Sequence, residues 1–403
     1  MTREFMKNRR SFLQGSAMFV GAALSGAGTL MFRPSFATAA EPVKVGVALD
    51  MTGGLGAVGL AGINTAKMIV QEFNDAGGIL GRPVELYIAD TATNESIGVA
   101  NVRTMIQRDK VDVVIGGLAS SMRNAIKDVI IGRGKTLYLY PSLYEGKECT
   151  PYLFCTGATP AQQCDTFIPW LMENGGKRFA LPSSDYIWPQ VLNKYVRDVV
   201  EKHGGEVVYE EFFPFDQIDF SASVNKIMSE NVNVVINSVI PPGGGALIKQ
   251  LHQAGFTKNG GRFGSFYYDE NALNFNTAEE LEGLASCLDW FQSLAHTDPL
   301  SKTVFDKYNQ LFPGPIQFTA GNSALSVYRG LKLWEAAVKE AGTLERDAVA
   351  AALDHAKVDV PGGAASMVPG KRHISMNMYI AVSKSGKFQI VSKSDGPINP
   401  KEC

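Results

Sequence analysis

From Val43 onward the chain alternates short apolar runs with longer amphipathic segments, and this alternation constrains the fold more than any other feature. The runs 43–49, 84–90, 111–115 and 137–140 read as buried strands. The segments 57–76, 95–108 and 122–133 read as helices, the first closed by Gly77-Gly78. Strands separated by helices of this length argue for parallel sheet in a doubly wound layout. After Pro160 the alternation restarts, with helices 161–174, 188–202, 221–229 and 244–254 interleaved with strands 178–181, 206–213, 234–237 and 264–268. The region 298–355 is again helical, and 320–340 is strongly apolar on one face. It ends at Pro361-Gly362-Gly363, before a hairpin of 376–382 and 388–392 turned at Ser385-Gly386. A chain of 403 residues is expected to form two domains. No low-complexity linker separates them, so short crossings are expected at 157–162, 289–297 and 361–375. A cleft between lobes joined in this way can close on a ligand by hinge motion.

The first forty residues have a different character. Arg3, Lys7, Arg9 and Arg10 precede a Gly/Ala-rich apolar run from Ala17 to Phe32, and Ala37-Thr38-Ala39 follows as a cleavage signal. The run is short and small-sided beside the ~20 apolar residues of a membrane span. Asn8-Arg9-Arg10-Ser11-Phe12-Leu13-Gln14 resembles the bacterial twin-arginine export signal. Residues 1–39 are therefore expected to be a leader and the mature chain periplasmic. Removing residues 1–40 takes away five Lys/Arg and one Glu, leaving 33 basic and 39 acidic side chains and a net of −6. That balance argues against nucleic acid as a partner. The cysteines are Cys149, Cys155, Cys164, Cys287 and Cys403. In an oxidising compartment Cys149 and Cys155, which bracket a short turn, suit one disulfide; the alternative is two buried thiols. No spacing is C-x-x-C, so neither a structural zinc nor a thioredoxin-like motif is indicated.

The stretch 136–157, TLYLYPSLYEGKECTPYLFCTG, reads as a buried strand running into an aromatic loop, and Tyr140 and Ser142 lie where a pocket wall would be. Gly116-Gly117-Leu118-Ala119-Ser120-Ser121 carries a strand into a helix. Ser120 or Ser121 there either caps that helix or, with its first free amides, holds a ligand oxygen. Ser183-Ser184-Asp185-Tyr186-Ile187-Trp188-Pro189 follows a strand of the second domain. Tyr186 and Trp188 would form the opposite wall, unless Trp188 is core. In Tyr267-Tyr268-Asp269-Glu270-Asn271, Glu270 would meet an ammonium or amide nitrogen, or Asp269 merely caps a turn. Gly54, Gly56 and Gly59 formally match the dinucleotide-binding G-x-G-x-x-G, with Asp90 ending the next strand. Residues 50–53 separate the first strand from Gly54, where the fingerprint needs an immediate tight turn. An exported NAD(P)-dependent oxidoreductase using these glycines is the alternative reading. The histidines His203, His252, His296, His355 and His373 are scattered, and neither H-E-x-x-H nor G-x-S-x-G occurs. No catalytic residue, cofactor or metal is expected.

Several of these pieces together resemble one family across essentially the whole mature chain. They are the opening 45–53, the helix exit Ala76-Gly77-Gly78-Ile79-Leu80-Gly81-Arg82-Pro83, Tyr144-Glu145-Gly146, Gly157-Ala158-Thr159-Pro160-Ala161-Gln162-Gln163 and Ser184-Asp185-Tyr186. The chain is similar to the leucine-binding-protein-like periplasmic solute-binding proteins of ABC importers for branched-chain amino acids, short-chain amides and urea. The Tyr-Glu-Gly and Ser-Asp-Tyr pieces are closest to the amide and urea branch. The resemblance implies a two-lobed α/β type I periplasmic-binding-protein fold. Each lobe would be a doubly wound, mainly parallel sheet flanked by helices, with three inter-lobe crossings. Residues 40–160 and 290–366 would form the first lobe, and 161–289 and 367–403 the second. It further implies a non-enzymatic protein that captures a small polar solute and delivers it to an inner-membrane permease and ATPase complex. Ser120, Tyr140 and Ser142 would hold ligand from the first lobe and Tyr186 from the second. Glu270 falls where amino-acid binders place a carboxylate for the α-ammonium. Leu118 replaces an aromatic of the amide binder, and Gln190 follows Pro189 where that branch often has arginine, so the solute stays open among amide, urea, amino acid and small acid.

Overall fold

The computed structural model describes residues 41–319 and 323–403, and Glu41–Cys403 forms one compact unit. The leader and the start of the 320–340 segment lie outside the described residues. The elements run β1 (Val43–Leu49), α1 (Gly56–Asp75), β2 (Val84–Asp90), α2 (Glu95–Thr104), β3 (Val113–Gly116), α3 (Ser120–Lys127), β4 (Leu137–Tyr140) and β5 (Leu153–Cys155). Then follow α4 (Pro160–Asn174), β6 (Arg178–Ser184), α5 (Ile187–Lys202), β7 (Glu206–Phe213), α6 (Ser221–Ser229), β8 (Val234–Ile236), α7 (Gly243–Gln253), β9 (Arg262–Ser265) and β10 (Ala285–Leu288). Last come α8 (Pro299–Leu311), α9 (Ala324–Ala341), α10 (Arg346–Leu353), β11 (Lys357–Val360), β12 (Gly363–Val368), β13 (His373–Ser375), β14 (Tyr379–Lys384) and β15 (Lys387–Lys393).

Two sheets result. The first has the order β11-β12-β13-β5-β4-β3-β1-β2 and the second β15-β14-β10-β9-β8-β6-β7. Strands β1 to β5 pair in parallel, as do β6 to β10. Helices cover both faces of such sheets, so the central strands are apolar throughout: every residue of β3, β4 and β8 is buried. Edge strand β7 is half exposed and shows the looser pattern of a one-sided strand. This is the two-lobed α/β fold expected above. No described helix is long and apolar enough to cross a membrane.

The chain passes between sheets after β5, after β10 and between β13 and β14. The first two passages lie at the expected places. The third is at 376–378 rather than 361–375, because β13 joins the first sheet parallel to β5, with β12 and β11 added antiparallel beyond it, before the chain leaves the sheet. His373–Ser375 is thus a strand of the first sheet, although 367–403 was assigned to the second lobe. The start of α4 is bound to both sheets. Gln162 Nε2 donates to the carbonyls of Ile374 (2.9 Å) and Ile398 (2.8 Å). Gln163 Nε2 donates to those of Phe266 (2.9 Å) and Cys287 (2.8 Å). From α9, Arg329 Nε donates to Thr156 O at 2.9 Å, and its Nη2 lies 2.8 Å from Asp289 Oδ2, joining the first two passages.

The disulfide is Cys149–Cys403, with Cα atoms 5.7 Å apart and a sequence separation of 254. The expected Cys149–Cys155 pair is corrected. Cys155 belongs to β5, between β4 and β13, and its thiol is buried and free. Burial pushes that thiol up to about 12, so it is an inert core group. The bridge ties the final residues to the first-sheet loop, while Lys401 Nζ reaches Asp165 of α4 at 2.6 Å. Reduction should lower unfolding stability by about 2–4 kcal/mol and release the segment 394–403 to hydrogen exchange. Denaturant melts with and without reductant check this, and coincident midpoints would rule it out.

Candidate functional site

Parallel strands leave their C-terminal ends facing the gap between the sheets, and loops there form the walls of a cavity. On the first-sheet side the wall is set by the turn after β3. Gly116 and Gly117 have φ of +156° and +77°. A Cβ on Gly116 would sit 2.0 Å from Ala48 O, so only glycine fits. Two phenols from β4 fasten the turn: Tyr138 Oη donates to Gly116 O at 3.1 Å and Tyr140 Oη to Leu118 O at 2.9 Å. Leu118, Ala119 and Ser120 are thereby presented to the cavity. Ser142 and Leu143 join them from the loop after β4, and Leu55 and Val58 from the glycine-rich start of α1. The second sheet contributes Tyr186 and Trp188 at the start of α5, Ile240 and Pro241 after β8, and Tyr267 after β9.

The cavity is about 50 Å³, and a second of about 30 Å³ adjoins it along Val58, Pro241 and Tyr267 and reaches Asp269, Asn271 and Thr319. Pockets for drug-sized ligands are about 300–1,000 Å³, so only a small solute suits this slot, and the lobes must part to admit it. No Lys, Arg or His lines either cavity. Trp188 Nε1 is buried with no hydrogen-bond partner among the described residues. Such an indole N–H is a donor waiting for an acceptor.

Ser120, Ser142, Tyr186 and Trp188 therefore come together as expected, and three other candidates do not. Ser121 is one helical step from Ser120 and turns away, its Oγ donating to Glu95 Oε1 at 2.6 Å. Tyr140 is fully buried behind the wall it supports. Glu270 opens instead onto a separate cavity of about 640 Å³ with Gln292, Lys302 and Gln317, and its Oε1 accepts from Gln292 N at 2.7 Å. Asp269, not Glu270, borders the slot. Ile240, Pro241 and Tyr267 were missed as wall residues; their position just after β8 and β9 was the available signal.

Behind Ser120 lies a buried charge cluster. Ser120 Oγ donates to Glu145 Oε2. Arg123 Nη2 is 2.7 Å from Glu145 Oε1, its Nε is 3.2 Å from Glu148 Oε2, and Lys127 Nζ is 3.0 Å from that same oxygen. The guanidinium lies over the rings of Tyr140 (5.0 Å) and Tyr144 (4.8 Å). Burial alone would lower the Arg123 pKa, but the Tyr140 phenol and the Glu145 carboxylate hold it well above its ordinary value. Burial pushes the Tyr186 hydroxyl far up, with Tyr140 and Glu145 adding to the effect. Tyr144 Oη donates to His373 Nε2 while His373 Nδ1 donates to Lys371 O at 2.6 Å; burial lowers the His373 pKa and keeps the ring neutral.

The glycine loop does not fit a dinucleotide. Asp90, which would bind a ribose, accepts instead from Met51 N and Ala92 N at 2.8 Å and from Thr52 Oγ1 at 2.7 Å. Gly59 is needed for packing, since a Cβ there would be 1.9 Å from Asp50 O. Among the described residues no group of His, Cys, Asp or Glu could hold a metal ion.

The profile of the periplasmic binding protein family matches residues 42–387. A Leu/Ile/Val-binding protein of Rhizobium johnstonii is 27% identical over 349 residues, covering 82% of this chain and 88% of the relative. Among solved structures, an R. palustris ABC-transporter solute-binding protein in complex with 4-hydroxybenzoate aligns with a TM-score of 0.79. It is 19% identical over 89% of this chain and 98% of its own. A leucine-binding protein of Thermotoga maritima aligns at 0.76, with 21% identity over 87% and 98% of the two chains. At these identities the structures share the fold with this chain.

Proposed function

The chain belongs to the periplasmic binding protein family, as a leucine-binding-protein-like member, and from that premise we propose that it captures an aliphatic amino acid or a short-chain amide between its lobes. Members of this family bind solutes and are not enzymes. Export by the twin-arginine leader and delivery of the solute to an ABC permease and its ATPase belong to the same reading. The observation that carries it is the composition of the slot. Apolar and aromatic side chains surround it, with Ser120, Ser142 and the first-turn amides of α3 at one end. Such amides have no acceptor within their own helix and suit a carbonyl or carboxylate oxygen. An apolar body then lies against Val58, Tyr186, Trp188 and Ile240. Urea is the weaker fit, since it would turn unpaired N–H groups toward those walls. The relative that binds leucine, isoleucine and valine supports a small aliphatic solute.

A thermal-shift series with leucine, isobutyramide, urea, 4-hydroxybenzoate and NADH tests this. A true solute at a hundredfold excess over its Kd should stabilise the protein by about 2.7 kcal/mol. Stabilisation by NADH alone, with no response to the amino acid or the amide, would overturn the reading.

A further inference from the structure

A hydroxyl has one proton to give, and the Ser120 proton is already committed. Glu145 is a buried carboxylate, 6% exposed, held between Arg123 on Oε1 and Ser120 on Oε2. A carboxylate paired with guanidinium only accepts hydrogen bonds, so between these two side chains Ser120 must be the donor. The other neighbouring oxygen, the Tyr140 phenol, sends its own proton to Leu118 O and competes poorly with a charged acceptor. Ser120 lines the slot, and what its Oγ can offer a solute there is lone pairs alone. The opposite polarity, donors for a ligand oxygen, comes from the first-turn amides of α3 and from Trp188 Nε1. No cation lines the slot to receive a bare anion, and Asp269 borders its far part.

We propose that Glu145 is a specificity-determining positioning residue: by taking the Ser120 proton it makes Ser120 an obligate acceptor, so the solute must bring an N–H donor to that point. Amides and amino acids supply one, as NH2 or ammonium, whereas simple carboxylates of the same shape meet a lone pair with a lone pair and are rejected. This deepens, and rests on, the solute-capture reading above. Glu145→Gln reverses the polarity. Its remaining oxygen stays with Arg123, its NH2 turns onto Ser120, and the hydroxyl proton is returned to the solute.

The test is calorimetry on the full protein with two pairs matched in shape, isobutyramide with isobutyrate and leucine with 4-methylpentanoate. The wild type is expected to bind the N–H member of each pair more tightly by about tenfold or more. E145Q should reduce that ratio by about tenfold. Ser120→Ala, which leaves the Arg123–Glu145 pair intact, should weaken only the N–H members, and it decides the matter by the same ratio if E145Q does not fold. A wild-type preference for the carboxylates, or a ratio unmoved by either variant, overturns the role of Glu145 while leaving solute capture standing. Failure of all four compounds to bind folded wild type removes the solute-capture reading and this inference with it.

Discussion

Arg123→Ala should destabilise the protein by about 3–5 kcal/mol, because it strands buried carboxylates without their cation. Arg123 is 3% exposed, and Glu145 and Glu148 are buried on either side of it. Lys127 still faces Glu148 at 3.0 Å, so the uncompensated charge falls mainly on Glu145. Two stacked contacts with Tyr140 and Tyr144 are lost as well. The double variant Arg123→Met with Glu145→Gln should recover a large part of the loss, since it removes both charges of the closest pair and keeps most of the volume. Urea denaturation of Arg123→Met, Glu145→Gln and the double variant measures the coupling, with Arg123→Ala measured beside them. Additive effects, or an Arg123→Ala loss below about 1 kcal/mol, would show that the cluster is not a coupled charge network.

What could be read from sequence follows how local the cause is. Strands β1, β2, β4 and β7 and most helices are marked by their own apolar periodicity, so the two α/β units and their parallel sheets were legible. Leu153–Cys155 was not, because three residues carry no period; the strand exists through its pairing with β4 and β13. The addition of β13 beside β5, with β12 and β11 beyond it, has the same origin and moved the last passage between sheets. The cysteines show the limit most sharply. Cys149 and Cys155 are neighbours in sequence, yet β5 turns Cys155 into the core and the true partner lies 254 residues away. In the candidate site, the loops singled out from sequence border the slot, and of their individual residues only some line it. Ser120 and Ser121 are successive residues of one helix, whose side chains point about 100° apart, so only one can face the slot. Asp269 and Glu270 differ in the same way at the start of a short 3₁₀ turn. The partner that gives Ser120 its polarity, Glu145, was legible as part of a family motif, but its role depends on a contact across 25 residues.

That same Asp269–Glu270 step produces the second large effect, a stability that falls as pH rises. Burial is the main cause in both residues, pushing Asp269 up to about 7 and Glu270 to about 8. The neighbouring Asp269 charge raises Glu270 further, while hydrogen bonds from Asn271 N and Thr319 pull Asp269 partly back. A carboxyl group whose folded pKa lies above its unfolded value takes up a proton on folding. Its contribution is complete below the unfolded value, near 4, and is lost as pH climbs through 7 to 8. Unfolding free energy should therefore drop by on the order of a few kcal/mol between pH 5 and pH 9 from this pair. Glu270→Gln keeps the acceptor for Gln292 N and removes the upper part of the slope, as urea melts at several pH values will show; a parallel slope in the variant would place the effect elsewhere. Asp269, unlike Glu270, borders the slot, but at the end away from Ser120, so a solute whose N–H group sits at Ser120 should raise the whole curve and leave its slope unchanged.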